Sequence, residues 1–413
     1  MIKKILLISL FFRIFIALLG EHGDVINYMW WAKDLYANGL NGFYERSIAN
    51  AMPPTYPPVI SYIFWLTSYA HRILWLFFWN VNLRIDLFPS NLIFWLESDK
   101  GWYFVNKLPS ILADTGMILI LYKLVKGIKG KKEALAAALI FAFNPVFWYN
   151  SGLWGQTDSI YGIFLLLSVY FLYKNNRYIS VLFYFLSVLT KPTAFFVAPV
   201  FIFFWLRRIN LKQLILNTIM VICITLLLYY PFHPDGTIFW VYDFYIKSLG
   251  GELDYIVANA FNLWGLVFGF DNVSVNTKFL GIPAQTLGYL LFILSTGVLF
   301  ITWGFRKYNI KTMLIMSAIV SFLAFMFLPM MHERYFYPVL LFLTPTAAIY
   351  FNERKPYYLL SAVHFINLYH FWWVPRVELF VVLFSNRLME IILILSGFAI
   401  LIWYIRRFKQ VYV

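Results

Sequence analysis

One cysteine in 413 residues, Cys223, leaves nothing from which to build a disulfide, a Cys-rich zinc site or an iron–sulfur cluster. It sits inside the apolar run 214–230. Charge is scarce too: 13% of residues are Asp, Glu, Lys or Arg, and only 19 are acidic. There is no repeat of fixed period and no low-complexity linker, so one domain over 1–413 is expected rather than a solenoid or a string of modules. The chain is 62% hydrophobic with a mean hydropathy of +0.72. No water-soluble globule of this length carries that balance, so the chain belongs in a bilayer. Its net charge of +14 does not mark a nucleic-acid binder, because the basic residues form short clusters between apolar runs rather than one polar face.

Crossing about 30 Å of hydrocarbon takes about 20 helical residues, and by that measure an all-α protein of about twelve spans is expected. They fall near 2–20, 104–122, 134–150, 157–173, 178–190, 193–206, 213–231, 286–304, 312–330, 335–351, 356–372 and 387–405. The first has the charged start of a signal peptide, but no small-x-small cleavage site follows before Glu21, so it reads as an uncleaved anchor. Aromatics, 22% of residues, suit interfacial belts and a pocket for a long lipid tail.

Alternate connections are basic: Lys3 and Lys4; Lys123, Lys126, Lys129, Lys131 and Lys132; Lys174 and Arg177; Arg207, Arg208 and Lys212; Arg306, Lys307 and Lys311; Arg354 and Lys355; Arg406, Arg407 and Lys409. Only Glu133 and Glu353 interrupt them. The positive-inside rule then puts these loops and both termini in the cytoplasm of a cell membrane, expected to be prokaryotic. The segment 59–80 is apolar enough to span, but counting it would invert every later basic loop. The stretch 56–97, broken by Pro89, is therefore read as interfacial helices. Two long loops, 21–103 and 232–285, face outside.

The polar residues with chemical potential fall in that outer half. Asp24, in GDVINYMWWA, stands where the first span meets a surface helix; it can accept a proton from a hydroxyl or cap the helix. Pro53, Pro54, Pro57 and Pro58 stiffen the chain around Tyr56. Lys107 and Asp114 share one face of the second span, while Arg13, Asp114 and Glu390 are ionisable groups inside spans. Each needs a partner or a wet cavity, and an Arg13–Asp114 pair is one solution. In the next outer turn, WGQTDSIYG, Trp154 can stack on a sugar ring and Gln156 and Asp158 can read hydroxyls, or the stretch is a polar turn with an aromatic anchor. Lys191 lies between two short spans, so its turn sits below the outer surface. An ammonium there wants an anion, such as the phosphate of a lipid-linked sugar, or snorkels to the headgroups. In MHERYFYP, an extended backbone would point His332 and Arg334 the same way, toward a phosphate, with Glu333 orienting one of them.

In order along the chain, GDVINYMWWA, FYE, YPPVISYIFWL, KLPSILAD, WGQTDSIYG, LTKPTAFFVAP and MHERYFYP resemble the GT-C superfamily of lipid-sugar-dependent glycosyltransferases. The nearest likeness is to dolichyl-phosphate-glucose and -mannose transferases of the asparagine-glycan and GPI-anchor pathways, and to prokaryotic mannosyltransferases. The resemblance implies a GT-C fold and an inverting transfer of one sugar, mannose before glucose, from a polyprenyl-phosphate donor. The acceptor hydroxyl belongs to a lipid-linked glycan, a phospholipid or a protein on the outer side. It implies that Asp24 is the general base, that His332, Arg334 and Lys191 hold the donor phosphate, and that neither metal nor cofactor is required. The glucosyltransferases have an aromatic Gln-Tyr-Asn-Gly stretch where this chain has WGQTDSIYG, so Gln156 and Asp158 take no role from the likeness. A flippase or an oligosaccharide-transferring ligase is the rival class; inverted repeats and paired broken helices are not evident in the sequence.

Overall fold

The computed structural model describes residues 1–207, 209–250, 254–304 and 309–411. Arg208, Arg306 and Lys307, part of the basic pattern above, lie outside the described residues. The architecture is mainly helical. Helices α1 (Ile2–Ala17) and α2 (Gly23–Asn38) precede a pair, α3 (Pro58–Asn82) and α4 (Ser90–Glu97), and the long α5 (Asp99–Ile128). Then come α6 (Lys131–Phe143), the single turn α7 (Pro145–Trp148), α8 (Asp158–Tyr173), α9 (Arg177–Val188), α10 (Ala198–Leu206) and α11 (Leu211–Tyr229). The second half holds α12 (Thr237–Gly250), α13 (Leu263–Phe268), α14 (Ala284–Leu299), α15 (Ile310–Phe327), α16 (Tyr337–Ile349), α17 (Arg354–Tyr369), α18 (Glu378–Phe384) and α19 (Arg387–Val411).

Every expected span overlaps a helix, but length trims the count. Among the described residues, five helices are long and apolar enough to cross a membrane: Asp99–Ile128, Leu211–Tyr229, Ala284–Thr302, Ile310–Phe327 and Arg387–Phe408. A sixth arises if Lys131–Phe143 and Pro145–Trp154, bent by 45° at their break, count as one. The break has a local cause: the Asn144 side chain accepts from the Val146 amide and Pro145 starts a new helix, since proline has no N–H to continue the old one. Likewise α9, of 12 residues, reaches about 18 Å and stops at the turn before Pro192. At 25 residues α3 is long enough to span but is not among the five.

Asparagines start many of these helices. Asn176, Asn210, Asn262 and Asn309 each accept backbone N–H groups of the first turn, and Asn210 with Gln213 completes a capping box. At the centre, α5 packs against α1, α2, α6 and α8, while α15 and α16 are buried on nearly all sides. Arg13 donates from Nε to Asp114 Oδ2 at 2.8 Å, and both side chains are fully buried. Asp114 also accepts from Ser151 and Ser159, each at 2.6 Å, and from Tyr337 at 3.3 Å. One carboxylate thereby joins α1, α5, the turn 149–154, α8 and α16. Glu390 meets His370 at 3.1 Å and Arg387 at 3.2 Å.

The long connecting loops are built onto this frame. Among the described residues, four two-residue strands lie there: β1 (Val257–Ala258), β2 (Lys278–Phe279), β3 (Ile282–Pro283) and β4 (Met331–His332). Strand β1 pairs in parallel with β4, Ala258 opposite His332, and β2 pairs with β3. Asn262 and Trp264, to which the sequence assigned nothing, anchor the second loop: their side chains donate to the carbonyls of Phe325 and Phe327.

Candidate active site

Where α1 ends and α2 begins, the N-cap is His22, whose Nδ1 accepts from the Asp24 amide at 3.1 Å. Asp24 is therefore not the cap of α2. It sits in the first turn with its carboxylate free for other partners. Those partners come from distant chain segments. Trp154 Nε1 donates to Asp24 Oδ2 at 3.2 Å, and Gln156 Nε2 donates to the same oxygen. Arg334 Nη1 approaches it to 4.0 Å. His22 Nδ1 is 3.2 Å away, but a nitrogen whose lone pair serves the amide has no proton for the carboxylate. The indole and the amide are the groups that donate to Asp24 from distant segments, with the guanidinium facing them.

Trp154 and Gln156 are placed by chain geometry. Residues 149–154 form a π-helical turn that ends on Gly155 at φ +88°, a left-handed conformation glycine adopts without strain. Lys107 fixes that turn from behind: its ammonium donates to the carbonyls of Ala17, Gly20 and Leu153. Lys107 is thus buried against backbone rather than open to a sugar. Gln156 Oε1 accepts from Tyr28 at 3.2 Å, and Tyr28 meets the Tyr56 hydroxyl at 3.0 Å. The proline-rich loop around Tyr56 is held in turn by Tyr44, which donates to the Tyr56 carbonyl at 2.9 Å, and by Trp31, which donates to the Met52 carbonyl at 2.8 Å.

Lys191 is buried, as its place between short helices requires, but it already has an anion. Its Nζ lies 2.5 Å from Asp158 Oδ1, and Asn150 Nδ2 donates to the other Asp158 oxygen at 3.1 Å. Rings of Tyr56, Tyr161 and Tyr335 surround the ammonium at 5.4–5.9 Å. The lysine expected to meet a phosphate is paired with an aspartate. Two of its three N–H donors remain for a further acceptor.

The 332–334 stretch also departs from its expectation. It is extended only through His332; Glu333–Phe336 then coil into a 3₁₀ turn, with Met330 at φ +56° before it. Pairing with β1 fixes His332, and the turn sends Arg334 back toward Asp24. Glu333 Oε1 meets Arg334 Nη1 at 3.3 Å. Arg334 Nε and Glu333 Oε2 are buried without a hydrogen-bond partner, two orphaned groups in one small space.

Electrostatics sort the members. Burial, the largest single influence, pushes the Asp24 carboxyl up, but Arg334 and the hydrogen-bonding groups around the carboxylate together outweigh it, holding Asp24 well below the usual carboxylate range. Burial, reinforced by Arg334, pushes His332 well below the usual histidine value, so it is neutral at pH 7. Burial pushes Glu333 up, opposed by Arg334. The site thus combines an ionised carboxylate, an arginine with an unused donor, a neutral histidine and a lysine–aspartate pair, beneath an aromatic wall. His22 and Tyr28 belong to it as well, and neither had a sequence signal beyond standing beside Asp24.

The family model of dolichyl-phosphate-mannose-protein mannosyltransferases matches residues 91–232, about a third of the chain, and supports the likeness to GT-C membrane glycosyltransferases. The matched segment carries Lys107, Trp154, Gln156, Asp158 and Lys191. No curated protein matches the chain. Among solved structures, the archaeal oligosaccharyltransferase AglB from Archaeoglobus fulgidus, in complex with an inhibitory peptide and a dolichol-phosphate, is 14% identical with a TM-score of 0.45. That alignment covers 98% of this chain and 55% of AglB. The Archaeoglobus fulgidus oligosaccharyltransferase in the apo form is 14% identical with a TM-score of 0.42, over 95% of this chain and 56% of its own. The chain spans about half the length of these structures.

Proposed function

We propose that this membrane protein, similar to GT-C glycosyltransferases, moves a single sugar from a polyprenyl-phosphate donor to an acceptor hydroxyl on the non-cytoplasmic side, with mannose the first candidate and glucose the second. One observation carries the reading: Asp24 and Arg334, 310 residues apart in sequence, face each other at 4.0 Å, with an unpaired guanidinium nitrogen beside them. The anomeric carbon of such a donor already bears a phosphate leaving group, so the site has to stabilise departing negative charge and remove one proton from the acceptor. Arg334 serves the first need with a planar fork suited to phosphate, and Lys191 adds donors that Asp158 leaves free. Asp24, beside it, takes the acceptor proton during an inverting displacement once the substrates have separated the two side chains. No metal is part of the proposal. Incubation of the purified protein with a panel of polyprenyl-phosphate sugars and a membrane extract tests it: a labelled product together with free polyprenyl phosphate is expected, and transfer only of preassembled oligosaccharide would refute it.

Removing the guanidinium should weaken donor binding. Arg334→Ala is expected to cost about 1.5–3 kcal/mol, or about 10- to 150-fold in donor affinity, with acceptor binding kept. Arg334→Lys retains charge but not the fork, and should recover only part of the loss. Titration of monodisperse protein decides between this and a surface anchor, for which the folded fraction would bind donor normally.

His332 gives the same pocket a pH signature. Neutral in the empty site, it gains a favourable proton when a phosphate arrives, because the anion raises its pKa. Donor affinity should rise as pH falls from 8 toward 6, and His332→Gln should flatten that slope. An unaltered slope in the variant would assign the dependence to another group of the protein, because the donor's phosphodiester does not titrate in that range.

The proposed topology has twelve crossings, several of them short, with both termini cytoplasmic. Single cysteines at positions 85 and 128, in a Cys223→Ser background, should react with an impermeant reagent from opposite sides of the membrane. Reaction of both from one side would overturn it.

A further inference from the structure

Two cavities lie far from Asp24, and no residue of the site lines either one. The larger, about 840 Å³, opens over Phe351, Asn352, Arg354, Lys355, Tyr358 and Leu359 at the start of α17. The second, about 390 Å³, runs between α6 and α17 over Leu139, Ile140 and Phe143, and ends at the Asn144–Pro145 break. Arg354 and Tyr358 line both, so the two form one cleft with a basic mouth and an apolar floor. The other end of α17 is about 24 Å away along its axis, close to where Trp372 packs on His22 at 5.1 Å.

We propose that this cleft holds an anionic glycerophospholipid of the adjacent leaflet, its phosphate at Arg354 and Lys355 and one acyl chain between α6 and α17. Charge complementarity selects the headgroup. Glu353 is the only acid in 350–359, and it is fully buried and paired with Arg407 at 3.2 Å, so it does not neutralise the mouth. Arg354 donates through Nε to the Ala347 carbonyl, which orients the guanidinium and leaves its terminal nitrogens for a ligand. Lys311 comes within 5.9 Å of the neighbouring Tyr350 ring, adding to the positive field. The floor selects a lipid over a free phosphate. Leu139 and Phe143 are 44% and 42% exposed at the cleft, apolar surface that a soluble anion would leave uncovered and an acyl chain would bury.

The test is lipid retention by the purified full chain, read by native mass spectrometry after exchange into phosphatidylglycerol or phosphatidylcholine with identical acyl chains. The wild type should retain phosphatidylglycerol at least about 10-fold better, since two cations act on the headgroup. Arg354→Gln with Lys355→Gln should bring that ratio near one. Leu139→Trp, which fills the floor, should lower retention of both lipids and keep the preference. Lys355→Gln alone, at an exposed position, should give an intermediate ratio and keeps the test open if the double variant does not fold. Equal retention of the two lipids by the wild type, or an undiminished preference in the charge variants, would overturn the proposal. So would displacement of phosphatidylglycerol by glycerol phosphate at equal concentration, which would mark a site for soluble anions. Because the readout is bound lipid rather than sugar transfer, it stands or falls apart from the glycosyltransferase reading.

Discussion

Asp24→Asn should lower turnover by at least about 100-fold while leaving donor affinity within a few-fold of wild type. The substitution preserves size and keeps one oxygen to accept from Trp154 or Gln156, so the local frame has little reason to shift. What it removes is the negative charge, and with it the ability to take a proton. The low pKa of Asp24 sharpens the expectation. The group is ionised throughout the physiological range, so loss of activity between pH 7 and 5 would arise from another group. A depressed folded-state pKa also means that the stabilisation Asp24 contributes is present above its unfolded value and lost as pH falls through the folded one. Single-turnover rates with saturating donor are the measurement. Near-normal rates in the variant would show that Asp24 only positions Trp154, Gln156 and Arg334.

Asp114→Ala should be the most destabilising single change in the frame, by about 3–5 kcal/mol, because it strands Arg13 as an uncompensated buried charge. The guanidinium has little else to turn to: Nη1 is taken by Ser9 and by the Ala142 carbonyl at 2.9 Å, and Nη2 already lacks a partner. The loss reaches further than one pair, since Ser151, Ser159 and Tyr337 also give up their acceptor. Replacing both ions, Arg13→Met with Asp114→Leu, should recover much of the stability, as an apolar pair removes the desolvation cost on both sides. Thermal unfolding in detergent is the check, and a melting temperature for Asp114→Ala within a degree or two of wild type would contradict it. The folded fraction should still bind donor, because Asp114 touches none of the proposed substrate groups.

How much of this was legible in the sequence depended on the range of the interaction. Apolar runs marked the helices because hydropathy is local, and Lys191 was placed below the surface by the shortness of its neighbours. The break at Asn144–Pro145 was also a local signal, but continuous hydropathy over 134–150 hid it. Pairings across the fold were beyond reach. Asp158 as the counter-ion of Lys191 is a contact over 33 residues, and the turning of Arg334 toward Asp24 depends on β1, some 75 residues earlier. His22 was passed over as the cap because aspartate is the commoner choice, and histidine fills that place here only because its Nδ1 can accept.

The pairing of β1 with β4 has a mechanical meaning. Met330 donates to the Ile256 carbonyl at 2.9 Å, and Ala258 and Asn259 bridge to His332, so the loop between α12 and α14 grips the chain two residues before Arg334. The loop cannot rise from the protein without either pulling that strand along or letting go of it. Each such bond contributes about 0.5–1.5 kcal/mol net, so a grip of a few bonds is a clutch rather than a weld. While it is engaged, the position of the guanidinium follows the loop; once it slips, the two move independently.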